Sequence, residues 1–180
     1  MDDESKSAFS EYWEAYGGLK ALFSSYYLWL AVVITFALFP AWTDVKAKWW
    51  ADILSIMPNM LGFTLGGYAM WVAIGDDKFK QAISGREDDE DQEPSPFMVT
   101  NATFVHFLLL QVSAIIFALF GKTYDKIVIF TETQEILAIA YSGFSYFIFI
   151  YAILTAIAAV FALLKVSSWF DMFQTSQRKK

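Results

Sequence analysis

The sequence predicts an all-α integral membrane protein built as a four-helix bundle. The chain of 180 residues is 57% hydrophobic and only 18% charged, so it is more apolar than a soluble domain of this length. Its charged residues cluster between four long uncharged runs. Each run can hold about 20 residues of helix, the length that crosses a hydrocarbon core. The predicted spans are residues 21–40, 53–75, 98–120 and 136–164.

The first 20 residues predict an amphipathic helix that precedes the first span. Phe9, Trp13 and Tyr16 recur at helical spacing, which places aromatic rings on one face. Such a helix can lie in the membrane interface. Its polar face carries Glu11 and Glu14 rather than basic residues, so docking onto a cytosolic partner is the alternative interpretation. Both interpretations stay open at the level of sequence.

Local signals predict where several spans begin, end or bend. Pro40 is expected to end the first span, because proline lacks a backbone N–H and clashes with the preceding helical turn. Pro58 predicts a kink inside the second span for the same reason. Thr131 and Gln134 have the spacing of a capping box, so the fourth helix is expected to begin near Glu132.

Small residues at helical spacing form two strips in the predicted spans. In lipid, small residues let two helix backbones approach closely, because packing drives helix association there. The second span, in the stretch PNMLGFTLGGYAMW, is therefore predicted to be the central packing helix and to support a homo-oligomer. The predicted packing residues are Gly62, Gly66 and Gly67 in the second span and Ser145, Ala152 and Ala156 in the fourth.

The few polar side chains within the spans are candidate intramembrane sites. Ionisable residues at membrane depth are functional candidates by default. For His106 we favour a neutral ring hydrogen-bonded across helices over a pH sensor or proton path, because the predicted spans contain no Asp, Glu, Lys or Arg. Asn59 is assigned to helix packing rather than to a ligand. The candidate intramembrane polar residues are Asn59, Thr103, His106, Gln111 and Ser113.

The residue types argue against an enzyme. The chain has no cysteine and a single histidine, so thiolate metal sites, a cysteine nucleophile and histidine-rich metal centres are not expected. No nucleophile and base, and no cluster of carboxylates, are predicted to meet at membrane depth. We therefore expect no catalytic residue, no bound metal and no cofactor.

The positive charges predict the orientation in the membrane. Of the 13 Lys and Arg residues, four lie in the two loops that share one side: Lys46, Lys48, Lys122 and Lys126. The other nine (13 − 4) lie in the N-terminal segment, in the loop 76–96 and from Lys165 into the tail 166–180. The positive-inside rule then places both termini and the middle loop in the cytoplasm.

The middle loop carries a block of acidic residues that predicts a solvated linker or a protein-binding segment. Charge blocks of this kind are typically disordered. The alternative is an electrostatic handle for a basic cytosolic protein, whereas direct contact with nucleic acid is not expected. The candidate partner-binding residues are Glu87, Asp88, Asp89, Glu90, Asp91 and Glu93.

Three function classes are compatible with these features. The first is a non-catalytic subunit that acts as a sensor or scaffold and recruits a cytosolic effector. The second is a homo-oligomeric ion channel or pore lined by the polar residues of the spans. The third is a small transporter or lipid-handling protein, which the absence of charge within the spans disfavours.

The layout supports a resemblance to a known family. The size, the four spans, the cytoplasmic termini, the charged cytoplasmic loop and the stretch PNMLGFTLGGYAMW resemble small membrane subunits of bacterial anti-phage systems of the Kiwa type. The resemblance implies a homo-oligomeric inner-membrane sensor that signals to a cytosolic DNA-binding partner. It therefore favours the first of the three function classes.

Overall fold

The computed structural model describes residues 7–44, 48–73, 77–84, 94–125 and 131–179. All secondary structure in these residues is helical, as the sequence predicts. The helices in chain order are α1 (Ala8–Tyr16), α2 (Gly18–Ser24), α3 (Tyr26–Ala37), α4 (Phe39–Thr43), α5 (Trp49–Ala73), α6 (Asp77–Ile83), α7 (Pro96–Tyr124) and α8 (Glu132–Arg178).

Helices α5, α7 and α8 are long and apolar enough to cross a membrane. Helices α2 and α3 together pass the same test, but they meet at an angle of 54°. The described part of the chain therefore contains three candidate spans and one bent pair that could form another. These features indicate an integral membrane protein.

The first predicted span differs from the structure, because residues 21–40 do not form one helix. Ser25 has extended backbone angles (φ −71°, ψ 120°) and separates α2 from α3. Helix α3 ends at Ala37, and Pro40 lies in the first turn of α4. Proline is accepted in a first turn, where its missing N–H would have no helical partner. Pro40 thus belongs to a new short helix rather than marking the end of the first one.

Helix α8 is the centre of the bundle, and this corrects the prediction that the second span is central. It packs against α3, α4, α5 and α7, whereas α5 packs mainly against α7. Ala31, Ile53, Ala114 and Ala152 are fully buried at these contacts. Small side chains at such positions allow the helix backbones to come close together.

Glycines other than the predicted ones provide the tight contacts within the chain. A Cβ built on Gly121 would overlap the ring of Trp49, and one built on Gly143 would lie 2.9 Å from Cζ3 of Trp42. Both glycines therefore make room for indole rings, that of Trp42 in α4 and that of Trp49 at the start of α5. Neither glycine is among the packing residues predicted from the sequence.

The predicted glycine strip faces outwards instead. A Cβ on Gly62, Gly66 or Gly67 would have no neighbour within 4 Å. The sequence predicts that this strip packs against other helices of the bundle. Within one chain that prediction is wrong, because the strip does not make a close helix contact. Side chains on other faces of α5, among them Ile53, Met57, Thr64 and Trp71, are the ones that are buried.

Helix α8 begins with the predicted capping box and extends beyond the apolar part of the bundle. The Thr131 hydroxyl accepts a bond from the Gln134 backbone, and the Gln134 side chain accepts one from the Thr131 backbone. The helix has 47 residues, which is about 70 Å at 1.5 Å per residue. The hydrocarbon core is only about 30 Å thick, so part of α8 projects beyond it.

The projecting end of α8 holds α6 through an aromatic contact. Phe79 of α6 is buried, and its ring packs edge-on against Phe170 and Phe173 at centroid distances of 5.2 and 5.6 Å. These two rings of the tail therefore hold α6 against the end of α8. The acidic block, Glu87 to Glu93, lies outside the described residues.

Candidate functional site

A polar aromatic cluster forms around His106, where α1 meets α7 and α8. The Tyr12 hydroxyl lies 2.8 Å from His106 Nδ1, and His106 Nε2 lies 3.3 Å from the Tyr151 hydroxyl. The Tyr16 ring stacks on the imidazole with a centroid distance of 4.1 Å. The cluster thus joins the N-terminal helix to two helices of the bundle.

Local sequence explains why α1 can reach this position. The Ser7 side chain caps the start of α1 by accepting a bond from the Ser10 backbone, which satisfies an otherwise free N–H. Gly17 ends the helix with φ +94°, a left-handed conformation that glycine adopts without steric cost. The chain turns there into α2, so α1 lies beside the bundle.

The contact between α1 and α7 also has an apolar part. Tyr12 and Ala15 form a small buried cluster with Ala102, and the partly buried Trp13 and Val105 pack against it. The amphipathic helix predicted from the sequence therefore uses its aromatic face to dock on its own bundle. This contact favours neither of the two interpretations that the sequence left open.

The cluster satisfies the hydrogen-bonding groups of His106 without any charged partner. A neutral imidazole accepts at one nitrogen and donates from the other. The geometry fits the Tyr12 hydroxyl donating to Nδ1 while Nε2–H donates to the Tyr151 oxygen. His106 is buried, and buried polar groups without partners are costly, so the two phenols stabilise the imidazole in place.

Burial changes the acidity of the phenols on α1. Burial, with a smaller contribution from the neighbouring Tyr16, raises the pKa of Tyr12 from 10.0 to about 12. Burial also raises the pKa of Tyr16, and a hydrogen bond with Tyr151 partly offsets that effect. Both phenols therefore stay neutral at any physiological pH.

This shift gives a testable pH dependence for α1 docking. A raised pKa in the folded state favours the neutral form, so the contribution to stability is complete below pH 10 and is lost as pH rises towards about 12. The measurement is an ultraviolet absorbance titration of phenolate. The titration curve of wild type minus that of Tyr12→Phe should correspond to one group with a pKa of about 12. A difference curve centred on the ordinary tyrosine pKa would contradict this assignment.

Gln111 occupies a second buried polar position, between α7 and α5. Its side chain is fully buried, and its Nε2 donates to the Thr64 hydroxyl at 3.0 Å. Thr64 in turn donates to the Met60 carbonyl. Gln111 Oε1 has no hydrogen-bond partner among the described residues. An acceptor left in this state costs about 1–3 kcal/mol.

We expect Gln111→Met to leave the bundle as stable as wild type or to stabilise it by about 1 kcal/mol. Methionine has nearly the same shape, and it removes an unpaired acceptor together with an interhelical hydrogen bond worth only about 0.6 kcal/mol. Reversible unfolding in mixed detergent micelles measures the difference. A loss above about 2 kcal/mol would mean that Gln111 Oε1 has a partner in the membrane.

The other predicted polar residues do not join these two sites. Thr103 donates to the Val99 carbonyl in its own helix. Asn59 is exposed and donates to the Ser55 carbonyl, so its assignment to contact with a neighbouring helix is corrected. Ser113 is half-buried. The candidate polar residues therefore do not line one continuous conduit within the chain.

The predicted packing residues of the fourth span lie on the inner side of α8. Ser145 and Ala152 are fully buried, and the Ser145 hydroxyl donates to the Tyr141 carbonyl. Ala156 is half-buried. Together with Gly67 it lines an apolar groove of about 370 Å³ between α5 and α8.

The chemistry of the site is that of a docking contact. Three or more His, Cys, Asp or Glu side chains do not converge as metal ligands anywhere in the described residues. Comparison with protein-family models, with curated proteins and with solved structures finds no match to this chain. The function must therefore be inferred from the geometry of the chain itself.

Sequence reasoning identified His106 but not the tyrosines that bind it. The Tyr12–His106 pair is separated by 94 residues, and one sequence contains no signal for a contact across that distance. The available signal was the aromatic spacing of α1, which showed that the helix has a face to bury. It did not show which helix covers that face.

Proposed function

We propose that the chain is a non-catalytic inner-membrane subunit that acts as a sensor or scaffold and recruits a cytosolic effector. The observation that carries this proposal is the length of α8. One continuous helix of 47 residues connects the apolar bundle to a projecting end that holds α6. A rigid helix of this kind can present a cytosolic binding surface at a fixed distance from the membrane.

The proposed topology has four spans with both termini in the cytoplasm. Helices α5, α7 and α8 provide three spans, and the bent pair α2–α3 provides the fourth. Helix α3 supports this assignment because it is apolar all round: Leu28 and Ala31 are buried, whereas Trp29 and Phe36 are exposed. Exposed aromatic and aliphatic side chains on such a helix are suited to contact with lipid.

The outward glycine strip supports a homo-oligomer. Gly62, Gly66 and Gly67 leave open space beside α5, and Phe63 between them is 79% exposed. Such a surface suits close packing against a second transmembrane helix. The resemblance to Kiwa-type membrane subunits supports the same arrangement, with anti-phage defence as the biological setting and a DNA-binding protein as the cytosolic partner.

The geometry supports a scaffold better than the alternative of an ion channel within one chain. His106 and Gln111 are both buried and bind different partners, so they are not arranged along a shared path. Polar side chains are one possible lining for a pore between copies of the chain, and the outward strip of α5, which consists of glycine and apolar side chains, does not supply them.

We expect Phe79→Ala to weaken capture of the cytosolic partner several-fold. The substitution removes the ring that anchors α6 to the projecting end of α8, and a buried Phe→Ala change costs about 3–5 kcal/mol. The measurement is the mass and content of the complex after gentle extraction from its native membrane. Phe36→Ala is the matched control, because Phe36 is 69% exposed on α3 and packs against none of the rings that hold α6.

The same experiment separates the two functions. A co-purifying cytosolic protein that is retained by Phe36→Ala and reduced several-fold in Phe79→Ala supports the scaffold. Neutralising Glu87 to Glu93 in the same chain tests the acidic block as a second attachment point. A homo-oligomer that carries no cytosolic protein would favour the pore, and ion flux in liposomes would then test it.

A further inference from the structure

A large pocket lies at the end of the bundle opposite the α1–His106 cluster. It has a volume of about 910 Å³ and is formed by α4 and by the facing ends of α5, α7 and α8. Under the proposed topology this end faces the outer side of the membrane. A volume of this size, with mostly apolar walls and a few polar groups, is typical of small-molecule sites.

Aromatic rings form most of the apolar wall. The aromatic residues that line the pocket are Trp42, Trp49, Phe117, Phe120, Tyr124 and Tyr141. Trp49 packs edge-on against Tyr141 with a centroid distance of 5.9 Å, and the Tyr141 hydroxyl donates to the Phe117 carbonyl at 2.8 Å. These contacts hold the rings in defined orientations.

The charged residues that line the pocket in the described part of the chain are all acidic. Asp44, Asp125 and Glu135 line it, whereas no Lys or Arg residue does so among the described residues. Asp125 lies at the C-terminal end of α7, and Glu135 lies in the first turn of α8. Both are exposed, which places carboxylates at the rim rather than in the apolar floor.

Aromatic faces and carboxylates together are the groups that proteins use to bind ammonium ions. A cation is attracted to the negative face of an aromatic ring and keeps its charge compensated by a nearby carboxylate. We propose that this pocket binds a ligand with an ammonium head and an apolar body. The head would lie near Asp125 and Glu135, and the body would lie against the aromatic wall.

Two sources could supply this chemistry, a lipid headgroup such as that of phosphatidylethanolamine or a free amine outside the cell. The inference deepens the proposed function by naming the class of ligand that a sensor would detect, and it rests on the proposed topology for the side that the pocket faces. Binding itself is measured without the cytosolic partner. Failure of partner capture and failure of ligand binding are therefore distinguishable.

The test uses the full-length chain in nanodiscs of phosphatidylglycerol, a lipid without an ammonium group, with empty nanodiscs subtracted. Choline is the probe, and 3,3-dimethylbutanol is its neutral counterpart of the same shape. Saturation-transfer NMR should show choline bound about tenfold more tightly than the neutral compound, because the attraction to the rings and carboxylates requires the charge.

The double variant Asp125→Asn/Glu135→Gln should weaken choline binding about tenfold. The control is Glu132→Gln, which should leave choline binding unchanged. Glu132 is an exposed carboxylate in the same turn of α8 as Glu135, but it does not line the pocket. Equal binding of choline and 3,3-dimethylbutanol, or wild-type binding by the double variant, would overturn the inference. Adding phosphatidylethanolamine assigns the source: loss of choline binding supports the lipid headgroup, and unchanged binding supports a free amine.

Discussion

Replacing Gly121 by alanine is expected to lower the free energy of unfolding of the bundle by about 1–3 kcal/mol, the usual cost of inserting a group into a filled space. The new Cβ would overlap the Trp49 ring. That ring also packs edge-on against Tyr141, so displacing it disturbs a second contact. Unfolding in mixed micelles, followed by tryptophan fluorescence, measures the loss.

The matched control is Gly66→Ala, in a spanning helix of the same protein. A Cβ at Gly66 has open space around it, and alanine is a better helix former than glycine. We expect this variant, measured as a monomer so that the proposed oligomer contact does not contribute, to be as stable as wild type or slightly more stable. Equal stability of the Gly121 and Gly66 variants would contradict the assignment of Gly121, rather than the predicted strip, to packing within the chain.

Substitution of His106 by leucine is expected to destabilise the docked state of α1 by about 3 kcal/mol. The change removes both hydrogen bonds and leaves the Tyr12 hydroxyl without its acceptor in a buried site, whereas Tyr151 keeps its hydrogen bond with Tyr16. Helix α1 should then detach, and limited proteolysis between α1 and α2 should become faster. The protein otherwise remains folded, because His106 is not itself part of the apolar core around α8.

Thr103→Val serves as the control for this prediction. Thr103 lies close to His106 on the same helix but bonds only to the Val99 carbonyl, so its removal should leave α1 docked. Tyr12→Phe should give an intermediate effect, since the ring remains and one hydrogen bond is lost. Unchanged proteolysis in His106→Leu would show that the apolar contact with Ala102 holds α1 without the imidazole.

The sequence could predict the helices of this fold because the bilayer sets their length and composition. The uncharged runs identified α5, α7 and α8. The spacing of Thr131 and Gln134, which is that of a capping box, identified where α8 begins. The break at Ser25 could not be predicted in this way. Serine carries no strong helix-breaking signal, and residues 21–40 contain no charged residue that would mark a boundary.

The faces of the helices were harder to predict than their positions. A helix that is apolar all round has no preferred side in its own sequence, so the strip at Gly62 and Gly66 could equally face the bundle or the lipid. Which glycines are buried depends on the large side chains that pack against them from other parts of the chain. Trp42 and Trp49 need space, and Gly143 and Gly121 provide it.

The measurement that tests the central claim most directly is the side of the membrane on which the projecting end of α8 lies. The chain has no cysteine, so Ser176→Cys near the end of α8 and Glu132→Cys at its start can be labelled one at a time. With a membrane-impermeant maleimide on intact cells, Glu132→Cys should react, and Ser176→Cys should react only after the inner membrane is permeabilised. Labelling of Ser176→Cys in intact cells would contradict a subunit that presents its α8–α6 surface to a cytosolic partner.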